Sequence, residues 1–159
     1  MDFRQLFPLG KAYGAAFCNR VKETEVLAGN IQSCKHTLLI STRRFGKSSL
    51  AERAMERSKL PAVKLNFHLC TTEEEVAQLV TNGVTKLIGT SIGQIDKMMT
   101  IIKKYLFNLE PLLSFGNNKA TLKLIPKQQV NYSVVISEAL LLLEKLLAEK
   151  NKKAVLFLD

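Results

Sequence analysis

The chain has no tryptophan and only three tyrosines, and aromatic residues fill 7% of its 159 positions. No aromatic residues interleave with a basic cluster, the pattern by which proteins stack and clamp single-stranded nucleic acid. Cysteine is as sparse. Cys18, Cys34 and Cys70 are odd in number and lack C-x-x-C spacing, which argues against a disulfide framework or a zinc ribbon. The start "MDFRQLFPLG" has no apolar signal core ahead of a small-residue cleavage site, so a reducing, cytoplasmic setting is expected. Long apolar runs are missing too. Even "ALLLL" at 139–143 is flanked by Glu138, Glu144 and Lys145, far short of the roughly 20 residues that span a bilayer, so no membrane span is expected. No linker rich in proline, glycine or serine divides the chain, and no segment repeats. Negative charge is in deficit: 14 acidic against 23 basic side chains leave +9, which favours a nucleotide, a nucleic acid or an acidic surface as partner. The lysines are scattered, however, so a merely solvated basic surface is the competing reading.

The length and the 47% hydrophobic content suit one globular domain with a real core. Residues 1–16, with Pro8, Gly10 and Gly14, read as an irregular lead-in. Helical spacing of Val21, Val26, Leu27 and Ile31 predicts a helix over about 20–32. "HTLLIS", 36–41, predicts a strand buried on both faces, as in a parallel sheet. "SSLAERAMERSK", 48–59, predicts a helix stopped by Pro61, and the alternation in "AVKLNFHLC", 62–70, a second strand. Thr72 and Glu75 stand at capping-box spacing ahead of another helix. Residues 91–129 read as an insertion. Ile92, Ile95, Met98, Met99, Ile102, Tyr105, Leu106 and Leu109 form a helical stripe over 91–113, and an extended piece limited by Pro126 follows a turn at 116–118. A helix over 132–150 then leads to "AVLFLD", a strand ending on Asp159.

Strand, loop, helix is also the order of a phosphate-binding loop. In "STRRFGKSSL", 41–50, Gly46 lets backbone amides approach a phosphate, Lys47 is placed for the β and γ phosphates, and Ser48 for Mg²⁺. Ser41 stands where G-x-x-x-x-G-K-[ST] has its first glycine. That substitution is cheap where φ is negative and costly where φ must be positive. Arg43 and Arg44 either add charge near the phosphates or are solvated loop residues. Asp159, ending an apolar strand, is the candidate second Mg²⁺ ligand. His36 and His68 lack partners at metal-ligand spacing, and no hydrolase or protease motif is present.

These segments together resemble the archaeal-type ATPases of the AAA+/STAND group. Members carry an F-x-G-R-x-x-E box, met here by Phe17, Arg20, Glu23 and Leu27 in "FCNRVKETEVL" with Asn19 in the glycine position. Their S-P-R-R-x-G-K-[ST]-S-L loop is met by "STRRFGKSSL" with Thr42 for proline, and a later strand ends D-E-F. The resemblance implies an α/β, three-layer αβα P-loop NTPase fold with a mainly parallel sheet. It also implies ATP with Mg²⁺ as ligand, and a cofactor-binding set of Arg20, Ser41, Thr42, Arg43, Arg44, Phe45, Gly46, Lys47, Ser48 and Ser49. It makes Ser41 a familiar residue at its position. The glutamate that follows the Walker B aspartate, the sensor strand and the winged helix have no counterpart here, so the expectation is the N-terminal part of such a domain, without catalytic residues. Its sheet would have a gap open to self-association. The competing expectation is a basic module that binds nucleic acid or a protein partner through 91–127, the loop being vestigial.

Overall fold

Between Arg20 and Leu60 the backbone forms two helices and no strand, α1 (Val21–Gln32) and α2 (Lys47–Ser58). The computed structural model describes residues 20–92, 95–116, 119–128 and 130–159, so the expected lead-in at 1–16, and Phe17 and Asn19 of the box, lie outside the described residues. The chain divides into two units, Met1–Leu60 and Pro61–Asp159.

In the first unit α1 packs on α2, burying Leu27 and Ala28 of the one and Leu50, Ala51 and Ala54 of the other. Arg57 donates to Glu25 at 3.0 Å across this pair. α2 ends as expected ahead of Pro61, with Lys59 left-handed at φ 58°. The strand expected at 36–41 is not formed. Residues 35–42 carry no regular structure, and Leu38 and Ile40 are 82% and 85% exposed. A strand buried on both faces needs a neighbour to accept its backbone bonds, and no other strand exists among the described residues of this unit.

The second unit opens with β1 (Ala62–Leu65), which pairs in parallel with β4 (Val155–Leu158), Ala62 opposite Val155 and Leu65 opposite Leu158. The expected strand over 62–70 is thus shortened. At Asn66 the side chain accepts from the His68 amide, and Phe67–Leu69 coil into a single 3₁₀ turn. Between β1 and β4 come α3 (Glu73–Ile92), α4 (Ile95–Lys104), the hairpin β2 (Leu109–Gly116) and β3 (Lys119–Pro126), and α5 (Tyr132–Glu149). The capping box forms as its spacing predicts: Glu75 N–H donates to Thr72 Oγ1 at 3.2 Å, and the Glu75 carboxylate accepts from the Thr72 amide at 3.2 Å and the Thr71 amide at 2.6 Å.

The helical stripe predicted over 91–113 is broken after Lys104, and the reason is a buried carboxylate. Glu138 on α5, 8% exposed, accepts from the amides of Phe107 (2.6 Å), Asn108 (3.0 Å) and Leu109 (3.2 Å) and from Asn108 Nδ2 (2.9 Å). Those amides are therefore unavailable to carbonyls four residues back, and the chain turns into β2. Pro126 closes β3 opposite Leu109. The core of this unit joins Leu65 of β1, Val84, Leu87 and Ile88 of α3, Leu122 of β3, and Leu142 and Leu146 of α5. The protein is thus mixed α/β with a small parallel sheet and a separate antiparallel hairpin. Among the described residues no helix is long and apolar enough to cross a membrane.

Candidate functional site

The loop between 41 and 49 is shaped by two residues in the left-handed region. Arg44 has φ 67°, at the third position of a tight turn in which Phe45 N–H points to Thr42 O at 3.4 Å. Gly46 has φ 70° and hands the chain directly to α2, whose first intrahelical bond runs from Leu50 N–H to Gly46 O at 2.9 Å. A Cβ placed on Gly46 would meet nothing within 4 Å. Glycine is needed here for its backbone freedom rather than for space.

Ser41 is not among the residues with positive φ, so the departure from the usual first glycine carries no backbone strain. Its carbonyl has a use in this loop: Lys47 Nζ donates to Ser41 O at 3.1 Å, holding the ammonium across the loop mouth. The Ser41 hydroxyl donates to Thr42 O at 3.2 Å. Thr42, Arg43, Arg44 and Phe45 are exposed, Lys47 and Ser48 are half-buried, and Ser49 is buried beneath the start of α2.

Arg20 joins this group from the residue preceding α1. Its Nη1 donates to Phe45 O at 2.8 Å and its Nε to Glu23 at 3.3 Å, while Thr24 Oγ1 donates to Arg20 O at 2.7 Å. Arg20 is therefore anchored to the loop backbone at Phe45. The Glu23 carboxyl is held below the ordinary carboxylate range, first by its own backbone N–H and then by Arg20.

The electrostatics are one-sided. The first turn of α2 holds no acidic residue, its amides open toward the loop, and no carboxylate among the described residues pairs with Arg43 or Arg44. A helix N-terminus with Lys47 and two exposed guanidiniums nearby is a set of donors suited to an anion carrying several oxygens.

Asp159 belongs to the second unit. Its amide donates to Leu65 O at 2.8 Å, and its carbonyl accepts from Phe67 N–H at 3.0 Å, so the strand end is fixed against β1. Its carboxylate is ion-paired with Lys64, whose ammonium also lies 5.3 Å from the centre of the Phe157 ring. Sequence reasoning missed Lys64. The signal was its place in β1 opposite Phe157, which only the parallel register reveals. Sequence reasoning also missed the contact between Arg20 and Phe45, since 25 residues separate the two.

Comparison of the chain with protein-family models, with curated proteins and with solved structures finds no match in any of the three.

Proposed function

We propose that residues 41–49 bind the phosphates of ATP with Mg²⁺, as part of a P-loop ATPase domain of the AAA+/STAND kind. The observation that carries this reading is the left-handed Gly46 that turns the loop into the N-terminus of α2, with Lys47 held over the carbonyl of Ser41. In this reading Lys47 exchanges Ser41 O for phosphate oxygens, the amides from Gly46 onward and Arg43 and Arg44 supply further donors, and Arg20 fixes the loop through Phe45 O. Ser48 supplies a hydroxyl to the metal. Asp159, which the sequence pattern nominates as a metal ligand, is ion-paired with Lys64 in the second unit. The parallel pairing of β1 with β4 across a helical crossover supports the three-layer α/β fold.

Titration with a fluorescent ATP analogue tests the assignment. Lys47→Ala is expected to weaken binding at least about tenfold by removing a charge-assisted contact. Equal affinity in wild type and variant, both folded by circular dichroism, would sink it.

One observation favours a second reading. Phe107 is 74% exposed near Lys103 and Lys104, with the Lys127 amide bonded to Asn108 O at 2.9 Å beside it. An exposed ring that follows two lysines in the chain suits a nucleic acid strand. That reading calls for salt-sensitive RNA or DNA binding that survives Lys47→Ala and is lost in Phe107→Ala.

A further inference from the structure

The geometry points to Arg20 as a positioning residue of the phosphate site: its guanidinium holds the peptide between Phe45 and Gly46 in the orientation that aims the Gly46 N–H at a bound phosphate. This inference rests on the nucleotide reading above and adds what sets one of its backbone donors.

The amides that follow Gly46 are oriented by α2 itself. Gly46 O accepts from Leu50 N–H at 2.9 Å, which fixes the peptide carrying the Lys47 amide. The Gly46 amide lies one peptide earlier, in a plane shared with the Phe45 carbonyl. Turning that plane over changes φ at Gly46, and glycine accepts either sign, so the residue itself does not choose between the two orientations.

Arg20 chooses. Its Nη1 donates to Phe45 O at 2.8 Å, and because the peptide is trans the Gly46 N–H points away from the guanidinium. Among the described residues no backbone carbonyl accepts that N–H. With Gly46 at φ 70° and ψ 27° and Lys47 helical, successive amides turn toward a common point in the manner of an anion-binding nest. Turned over, the same peptide would present Phe45 O where the donor had been and repel the phosphate. The guanidinium is itself held, since Nε donates to Glu23 at 3.3 Å and Arg20 O accepts from Thr24 Oγ1 at 2.7 Å and Thr24 N–H at 3.0 Å. The first turn of α1 thus sets the aim of a donor 26 residues along the chain.

Nucleotide titration and amide NMR of the full chain test this together. On saturation with an ATP analogue and Mg²⁺, the wild-type Gly46 and Lys47 amide protons are expected to move downfield as they bond to phosphate oxygens. Arg20→Met is expected to weaken binding about tenfold and, at saturation, to lose most of the Gly46 shift while the Lys47 amide keeps its own. Saturation offsets any loss of affinity from charge alone, so the Gly46 shift reports the aim of the peptide. Arg20→Lys keeps the charge without the planar fork that reaches Phe45 O and Glu23 together, and is expected to fall between the two in both readouts. It carries the comparison by itself where Arg20→Met does not fold. Wild-type affinity in the folded variants, or a Gly46 shift at saturation equal to that of wild type, would overturn the inference. If Lys47→Ala weakens binding while the Arg20 variants behave as wild type, the nucleotide reading stands and only the role of Arg20 falls. A wild type that binds no nucleotide removes both.

Discussion

Gly46 and Glu138 show how unevenly a sequence displays its critical residues. Gly46 is legible because it lies inside a motif, and the structure supplies the reason for it, a backbone angle of φ 70°. Ser41 is the opposite case: the motif made it look like a defect, the family resemblance made it familiar, and its backbone conformation, which no single sequence states, shows that no strain attaches to it. Glu138 could not be read at all. It lies among the leucines of a helix, and its meaning depends on three amides about 30 residues away. Replacing it with Gln turns one acceptor oxygen into a donor facing Asn108. The expected cost is about 3 kcal/mol, the range for buried hydrogen bonds to a charged group. A lowered urea midpoint for Glu138→Gln with an unchanged slope is the readout, and a shift within the range of a surface substitution would show that the carboxylate does not anchor β2.

At the scale of elements, helices were legible more closely than strands. The last strand, in "AVLFLD", was read in place, the one at 62–70 only in its first half, and the one expected at 36–41 does not form. α1, α2 and α5 fall within a residue of their predicted ranges, because the signal of an amphipathic helix is local. The strand at 36–41 failed because a strand exists only with a partner, and the 91–113 stripe failed because Glu138 intervenes. α3 contains "NG" at 82–83, a turn signal by composition, yet the helix runs through it. Gly83 is there for contact. A Cβ at that position would collide with Leu65 Cδ2, and Leu65 is fully buried on β1. Gly83→Ala is therefore expected to destabilise by about 1 kcal/mol net, overpacking outweighing the helix gain of alanine. The penalty should vanish in a Leu65→Ala background, which a double-mutant cycle measures. The start of the same helix is sensitive to pH. Hydrogen bonds from Thr71 and Thr72 lower the Glu75 carboxyl below its ordinary value. Its contribution is complete above the unfolded value of about 4.3 and is lost as pH falls through the lower folded value, since the unfolded chain binds the proton first. An NMR titration placing the Glu75 midpoint at or above the ordinary value would contradict the cap.

For the whole molecule, the two units rest on unequal cores. Among the described residues the first buries two leucines and three alanines, whereas the second buries a continuous cluster from Val63 to Leu146. Alanines remove little apolar area from water, so the first unit opens at lower free energy. Hydrogen exchange should show the amides of α1 and α2 exchanging well before those at Leu87 and Leu142, and a single rate class across both units would refute this. A ligand held by the loop stabilises only the states in which the loop is folded. With the ATP analogue at about 100 times its Kd, the opening of α2 should become costlier by about 2.7 kcal/mol while the Leu87 and Leu142 amides keep their rates. Protection that appears at Phe107 and leaves α2 unchanged would instead place the polyanion on the hairpin and strip the loop of its role. The measurement separates the two functional readings because each assigns its anion to a different unit of the chain.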